Sequence, residues 1–249
     1  MLNRNALRLL NQRKMRNALL IRTLEREPGT EAYVYNGSAA VYENRSGSWL
    51  FGIEHEGDFT RLLAFLGKPL KTFYVNTVEP WEEIRSVLRD AQMRAYMQYN
   101  IGADMFKADP SVINPGIEIV PVDKSWTDFI LALYKSGEFG NRDYIDACIE
   151  SNPGFGAILD GERVGYVLIH LNGEIGSMVI AEKVRGKGVG STLMQRITPV
   201  YAAQASMGCG FVLPDNQGSR RMLEKSCFTP LDEKVMWVYR RGSEKEFGQ

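Results

Sequence analysis

Residues 185–191 read Arg185-Gly186-Lys187-Gly188-Val189-Gly190-Ser191, three glycines interleaved with two cations just ahead of a helical pattern. A glycine-rich turn that opens a helix presents backbone N–H groups at the positive end of the helix dipole. Glycine also lets the main chain approach a ligand closely, because no Cβ intervenes. With the added charge of Arg185 and Lys187, the fitting ligand is a pyrophosphate or another polyanion. The Walker pattern does not fit, since it ends in Lys followed by Ser or Thr and here Gly190 precedes Ser191. A dinucleotide fingerprint follows the first strand of a parallel βαβ unit and has an acid about 20 residues on. The strands ahead of this loop are antiparallel, and Asp215 lies too far along. Taken alone, the motif also leaves a plain flexible loop open.

Two groups able to move a proton flank Asn172-Gly173 just upstream, His170 and Glu174. An alkyl ammonium with a pKa near 10 must lose a proton before its nitrogen can attack, which is work for a general base. By residue type alone, a glutamate after Asn-Gly reads as a solvated turn residue and a lone histidine in an apolar strand as a packed one. Cys148, Cys209 and Cys227 stand in no metal-ligand spacing and suggest neither zinc nor a disulfide framework. Cys227 reads as a small buried hydrophobe, and a reducing, cytoplasmic setting suits all three.

Several short elements position these groups. Phe155–Leu159, Val164–Leu171 and Glu174–Ala181 are apolar strands joined by Asp160-Gly161 and Asn172-Gly173. Turns that short force an antiparallel meander. Val189, Leu193, Ile197, Val200 and Tyr201 then fall at helical spacing, with Pro199 expected to kink or split the helix. Gly210–Leu213 and Val235–Arg240 read as strands around a helix at Ser219–Lys225. Ahead of the meander come a strand at Gly116–Val122 and helices near 125–135 and Asn141–Glu150. A separate α+β region precedes residue 105, with a hairpin at Asn36-Gly37, a strand at Trp49–Ile53 and a helix near Phe59–Phe65. Lys71–Asn76 and Gln92–Tyr99 follow as strands around a helix at Trp81–Leu88. Asp109-Pro110 and Asn114-Pro115-Gly116 mark residues 106–116 as a linker, and residues 242–249 read as a polar tail.

This order, strand, two helices, antiparallel meander, Gly-rich turn, helix, strand, helix, strand, resembles the GNAT superfamily of acyl-CoA N-acyltransferases. Arg185, Gly188 and Gly190 match its pyrophosphate motif, Gln/Arg-x-x-Gly-x-Gly/Ala. Asn216 before Ser219, Leu223, Glu224, Lys225 and Phe228 resembles the helix after its fifth strand. The resemblance covers residues 117–241 and implies an α+β fold with a mixed, mostly antiparallel sheet flanked by helices. It implies acetyl-CoA as acyl donor, held by Met178, Val179, Ile180, the loop Arg185–Ser191 and Asn216. An N–H near Val179 would face the thioester oxygen. Glu174 would act as general base, with His170 the other candidate. The N-terminal half is similar in this light to a degenerate second copy, as in relatives of glycine N-acyltransferases. Two positions depart from the pattern. Leu223 stands where many members carry a tyrosine that protonates the leaving thiolate, and Cys227 replaces a glycine. Tyr201, Ser226 and Tyr239 are possible substitutes for that acid.

The chain of 249 residues balances thirty basic against thirty acidic side chains, so net charge argues for neither nucleic acid nor an anionic membrane. No apolar run approaches the roughly 20 residues of a membrane span, and no metal is expected. Arg4, Arg8, Arg13, Lys14, Arg16, Arg22 and Arg26 make the first 26 residues basic, in the manner of a transit peptide or, in the preferred reading, a solvated helix. The expected function is acyl transfer from acetyl-CoA to a primary amine in a ternary complex. The acceptor would be a small molecule or amino acid, and a homodimer is compatible with this. The alternative is a non-catalytic acyl-CoA-binding module.

Overall fold

Two helices, α1 (Leu2–Leu10) and α2 (Ala18–Arg26), open the chain around a 3-10 turn at Asn11–Arg13, in a computed structural model that describes residues 2–27, 29–134 and 141–240. The tail at 242–249 lies outside the described residues. A single solvated helix over residues 4–26 is therefore corrected. The break places Asn17, whose amide bonds Leu10 O (3.1 Å) and Asn76 (2.8 Å), and α2 is buried from Ala18 through Leu24, Arg22 included.

A meander follows, β1 (Ala32–Tyr35), β2 (Ser38–Glu43) and β3 (Ser48–Gly52), then α3 (Asp58–Leu63), β4 (Thr72–Val75), α4 (Trp81–Val87) and β5 (Ala91–Gly102). The first hairpin closes on Asn36 and Gly37, both at positive φ (48° and 87°), the twist that suits a two-residue turn between right-twisted strands. After a short 3-10 turn at Pro110–Val112 come β6 (Ile117–Pro121), α5 (Thr127–Leu133) and α6 (Arg142–Ser151). A second meander, β7 (Phe155–Leu159), β8 (Glu162–Ile169) and β9 (Ile175–Ile180), leads into α7 (Val189–Ala202), β10 (Met207–Val212), α8 (Gln217–Lys225) and β11 (Thr229–Arg240). Pro199 does not split α7 into two pieces. Leu193 and Ile197 before it and Tyr201 after it pack into one core, which holds the helix in register despite the lost N–H.

The two halves repeat one order: two helices, a three-stranded meander, a helix, a strand, a helix and a strand, with β6 added ahead of the second. They form a seven-stranded sheet ordered β1-β2-β3-β4-β11-β5-β10 and a four-stranded sheet ordered β6-β7-β8-β9. The last strands are exchanged. β11 inserts between β4 and β5, with Met236 opposite Val75 and Ala95, while β5 carries β10 on its other edge. The large sheet thus draws strands from both sides of residues 106–116. In the first half β3 and β4 form a parallel ladder (Trp49 opposite Phe73). Their counterparts β9 and β10 touch but belong to different sheets.

Candidate active site

The opening between β9 and β10 begins with a fault in register. Along β8, Tyr166 faces Val179 and Leu168 faces Gly176, so two steps on β8 match three on β9. The extra residue falls at Ser177–Met178, and Ser177 has φ 47°. Such a bulge bends its strand and leaves backbone groups outside the ladder. On the upstream side β9 and β10 come close, since a Cβ added to Gly210 would stand 3.0 Å from Ile175 O. Downstream of the bulge, Met178 and Ile180 pack toward the α7 core, whereas Val179 packs with Tyr166 toward α5 and α6.

The glycine loop stands at the end of β9 and opens α7. Gly186 (φ 80°) and Gly188 (φ 83°) are both left-handed, a conformation costly to residues with a Cβ. Gly188 is the N-cap, Val189, Gly190 and Ser191 form the first turn of the 14-residue α7, and a Cβ at Gly186 would meet nothing within 4 Å. The loop is braced from below by Asn114. Its side chain donates to Lys187 O (2.8 Å), its N–H donates to Thr192 Oγ1 (3.0 Å), and Thr192 donates to Gly188 O (3.0 Å). Arg185 and Lys187 are exposed, and Arg185 reaches Ile180 O (3.4 Å) and Glu182 (3.6 Å). The loop is therefore an open, braced set of N–H groups flanked by cations, suited to a pyrophosphate.

Glu174 and His170 come together at the other end of β9, their Oε1 and Nε2 3.8 Å apart. Glu174 is not a solvated turn residue: its side chain keeps 13% exposure. Backbone bonds from His170 N to Glu174 O (2.9 Å) and from Gly173 N to His170 O (2.9 Å) fold the turn back over itself. Burial raises the Glu174 carboxyl to about 8, against the lowering pull of its bond from Asn172. Burial also lowers His170 to about 4. Desolvation thus leaves both mostly uncharged at neutral pH, with Glu174 ionising as pH passes 8. Tyr144 Oη lies 2.7 Å from His170 Nδ1, and Ser177 Oγ lies 3.4 Å from Nε2. An added Cβ on Gly176 would come within 2.5 Å of the imidazole, so glycine is what lets the ring lie across β9.

Other sequence-predicted residues have structural partners of their own. The Asn216 side chain caps α8 by accepting from Ser219 N (3.1 Å). Of the possible substitutes for the missing acid, Tyr201 is fully buried against Cys209, Ser226 donates to Met222 O (2.8 Å), and Tyr239 lies opposite Thr72 and Gln92. Sequence reasoning misses Asn114, Tyr144 and the bulge at Ser177. Asn114 sits in plain view, in an Asn-Pro-Gly run that reads as connecting chain. Among the described residues, no cluster of His, Cys, Asp or Glu could hold a metal, and no helix is long and apolar enough to cross a membrane.

Comparison with known proteins gives this geometry a context. The sequence profile of the acetyltransferase (GNAT) family matches residues 123–227. No curated protein sequence matches the chain. Among solved structures, a Drosophila protein aligns with a TM-score of 0.74 at 13% identity, covering 97% of this chain and 96% of its own. A GCN5-related N-acetyltransferase from Kribbella flavida aligns at 0.58 and 10% identity, covering 92% and 96%. A GCN5-related N-acetyltransferase-like protein from Streptococcus suis aligns at 0.54 and 14%, covering 94% and 98%. These likenesses establish the fold over both halves.

Proposed function

We propose, from the match of residues 123–227 to the acetyltransferase (GNAT) family, that the protein transfers an acetyl group from acetyl-CoA to the primary amine of a small molecule or amino acid. The observation that carries this reading is the bulged strand β9, unpaired from β10, running from a buried carboxyl at one end to a braced glycine loop at the other. Acetyl-CoA supplies an activated thioester. The N–H groups of Gly186 and of residues 188–191, with the dipole of α7, would hold its pyrophosphate. Backbone groups of Met178, Val179 and Ile180 would bind along the pantetheine arm, and an N–H near Val179 would donate to the thioester oxygen as it gains charge.

Glu174 would take the amine proton. Its conjugate acid near 8 sits close to operating pH, the condition that makes a general base effective. Held neutral, His170 would relay that proton or position the amine. Direct attack in a ternary complex is the route we assign: Cys148 and Cys209 are buried, which pushes the Cys148 thiol to about 12 and Cys209 higher still. In the N-terminal half the counterpart opening is closed by the β3–β4 ladder. The counterpart loop, His55-Glu56-Gly57-Asp58, is acidic, and Asp58 is bonded to Ser38 (2.5 Å). That supports reading this half as a copy that does not bind acyl-CoA.

Calorimetric titration of acetyl-CoA into the wild type and into a Gly188→Glu/Gly190→Glu variant tests the loop. Binding that is lost in a still-folded variant is expected, and absence of binding to the wild type overturns the proposal. CoA release with an amine panel then separates an enzyme from a binding module. Turnover that falls sharply in Glu174→Gln is expected, whereas binding without any turnover favours the module.

A further inference from the structure

Arg22 is a fully buried guanidinium, and among the described residues no carboxylate lies within ion-pair distance of it. A charge so placed is costly unless its donors are matched to acceptors. Arg22 Nε donates to Gly173 O (2.7 Å), one nitrogen reaches Tyr201 O (3.3 Å) and Met207 O (3.4 Å), and the other donates to Gln204 (2.5 Å). Its guanidinium also lies 3.9 Å from the centre of the Tyr201 ring. Tyr201 O closes the last turn of α7, where the helix dipole is negative and a cation is favoured. The helix whose first turn forms the glycine loop is therefore capped at its other end by a residue of α2.

The same arginine grips the turn that carries the candidate bases. Gly173 O, the carbonyl just before Glu174, is met by Arg22 Nε and by the Tyr201 hydroxyl (3.0 Å). Arg26, one helical turn along α2, donates to Asn152 Oδ1 (2.7 Å), and Asn152 donates to His170 O (3.2 Å). Gly173 has φ 88°, and a Cβ there would come within van der Waals overlap of Arg26 Nη1. Both candidate bases are thus anchored through their own turn to two arginines of the N-terminal half.

We infer that Arg22 and Arg26 are positioning residues, through which α2 fixes the turn that carries Glu174. This rests on Glu174 being the base. The other ionisable groups around Glu174 are His170 just after β8, Tyr144 and Cys148 on α6, Tyr201 on α7, Cys209 on β10 and Tyr74 on β4. Burial keeps each of these uncharged from pH 6 to 9, so the arginines act on Glu174 by holding its turn in that buried place.

The test compares the full-length wild type with Arg22→Lys, Arg26→Met and Tyr201→Phe. The expected result is a kcat lower by about 10-fold or more for Arg22→Lys, since a misplaced reacting group costs up to about 100-fold. Its KM for acetyl-CoA should stay within about two-fold. Two readouts need no turnover: hydrogen exchange of residues 170–176, expected to accelerate, and the ¹³C titration of the Glu174 carboxyl, assigned with Glu174→Gln. That titration should move to lower pH in Arg26→Met, because a loosened turn lets water reach the carboxyl whose burial raises it. Folded variants with unchanged kcat, exchange and titration overturn the inference. Should Arg22→Lys fail to fold, Arg26→Met and Tyr201→Phe decide the question by the same readouts. A wild type that releases no CoA counts against the proposed activity, while exchange and titration still decide the role of α2.

Discussion

Replacing Glu174 with Gln should stabilise the protein, and by an amount that grows with pH. In the fold the carboxyl titrates near 8, against 4.5 for the free side chain. Between those values the unfolded chain ionises at this position and the folded chain does not. The unfolded state then binds fewer protons, so wild-type stability falls as pH rises. Each pH unit costs about 1.4 kcal/mol, giving a ceiling of about 5 kcal/mol once pH passes 8. Glutamine keeps the shape and the bond to Asn172 without the titration. The variant's advantage should be below about 1 kcal/mol at pH 5, roughly 2–3 at pH 6.5 and about 5 at most at pH 8.5. His170 has the opposite displacement, but it is common to both proteins and cancels in the difference. Urea unfolding of both at those three pH values, at constant ionic strength, reads the gap directly. A gap that stays constant with pH, or shrinks as pH rises, would refute the argument that burial governs this carboxyl. The same variant should lose about 100-fold or more in kcat and shed the ascending limb near pH 8; only the ionisation of the amine should remain in its pH profile.

Asn114→Ala removes the brace under the glycine loop, so KM for acetyl-CoA should rise by about 10-fold with kcat nearly unchanged; steady-state kinetics at saturating amine would show it. Gly176→Ala drives a methyl into the His170 ring and should cost about 1–3 kcal/mol by denaturant titration, as overpacking does. A thiol reagent at pH 8 should label the native protein at Cys227, the one cysteine not fully buried. Cys148 and Cys209 should react only after unfolding, and a native stoichiometry of two or three would contradict their burial.

The second meander and the glycine loop are legible because their signals are local. Asp160-Gly161 closes its hairpin with φ 54° and 77°, as the dipeptide announces, and Gly186 and Gly188 take conformations that favour glycine. What stays hidden depends on partners distant in sequence. Arg22 lies 151 residues from Gly173, so its place in a basic N-terminal run suggests solvent and nothing reveals its burial. The bulge turns on Ser177 adopting a positive φ, for which serine carries no preference. Asn216 matches a motif, whereas an asparagine three residues ahead of a helical serine is also an ordinary N-cap. The exchange of β5 and β11 cannot be read at all, because which of two distant strands pairs with β4 leaves no local signal in the sequence.

That exchange has a bearing on how the chain is made. Strand β4 lacks its neighbour on one side until residues 229–240 have been synthesised, more than 150 positions later. At roughly 5–20 residues per second, this is a wait of about 10–30 s on the ribosome with an apolar strand edge open. An open edge of that kind recruits other chains. Nascent protein should therefore depend on chaperone cover more than its size suggests, and its large sheet should close only late, when the last strand threads between two that have been waiting for it.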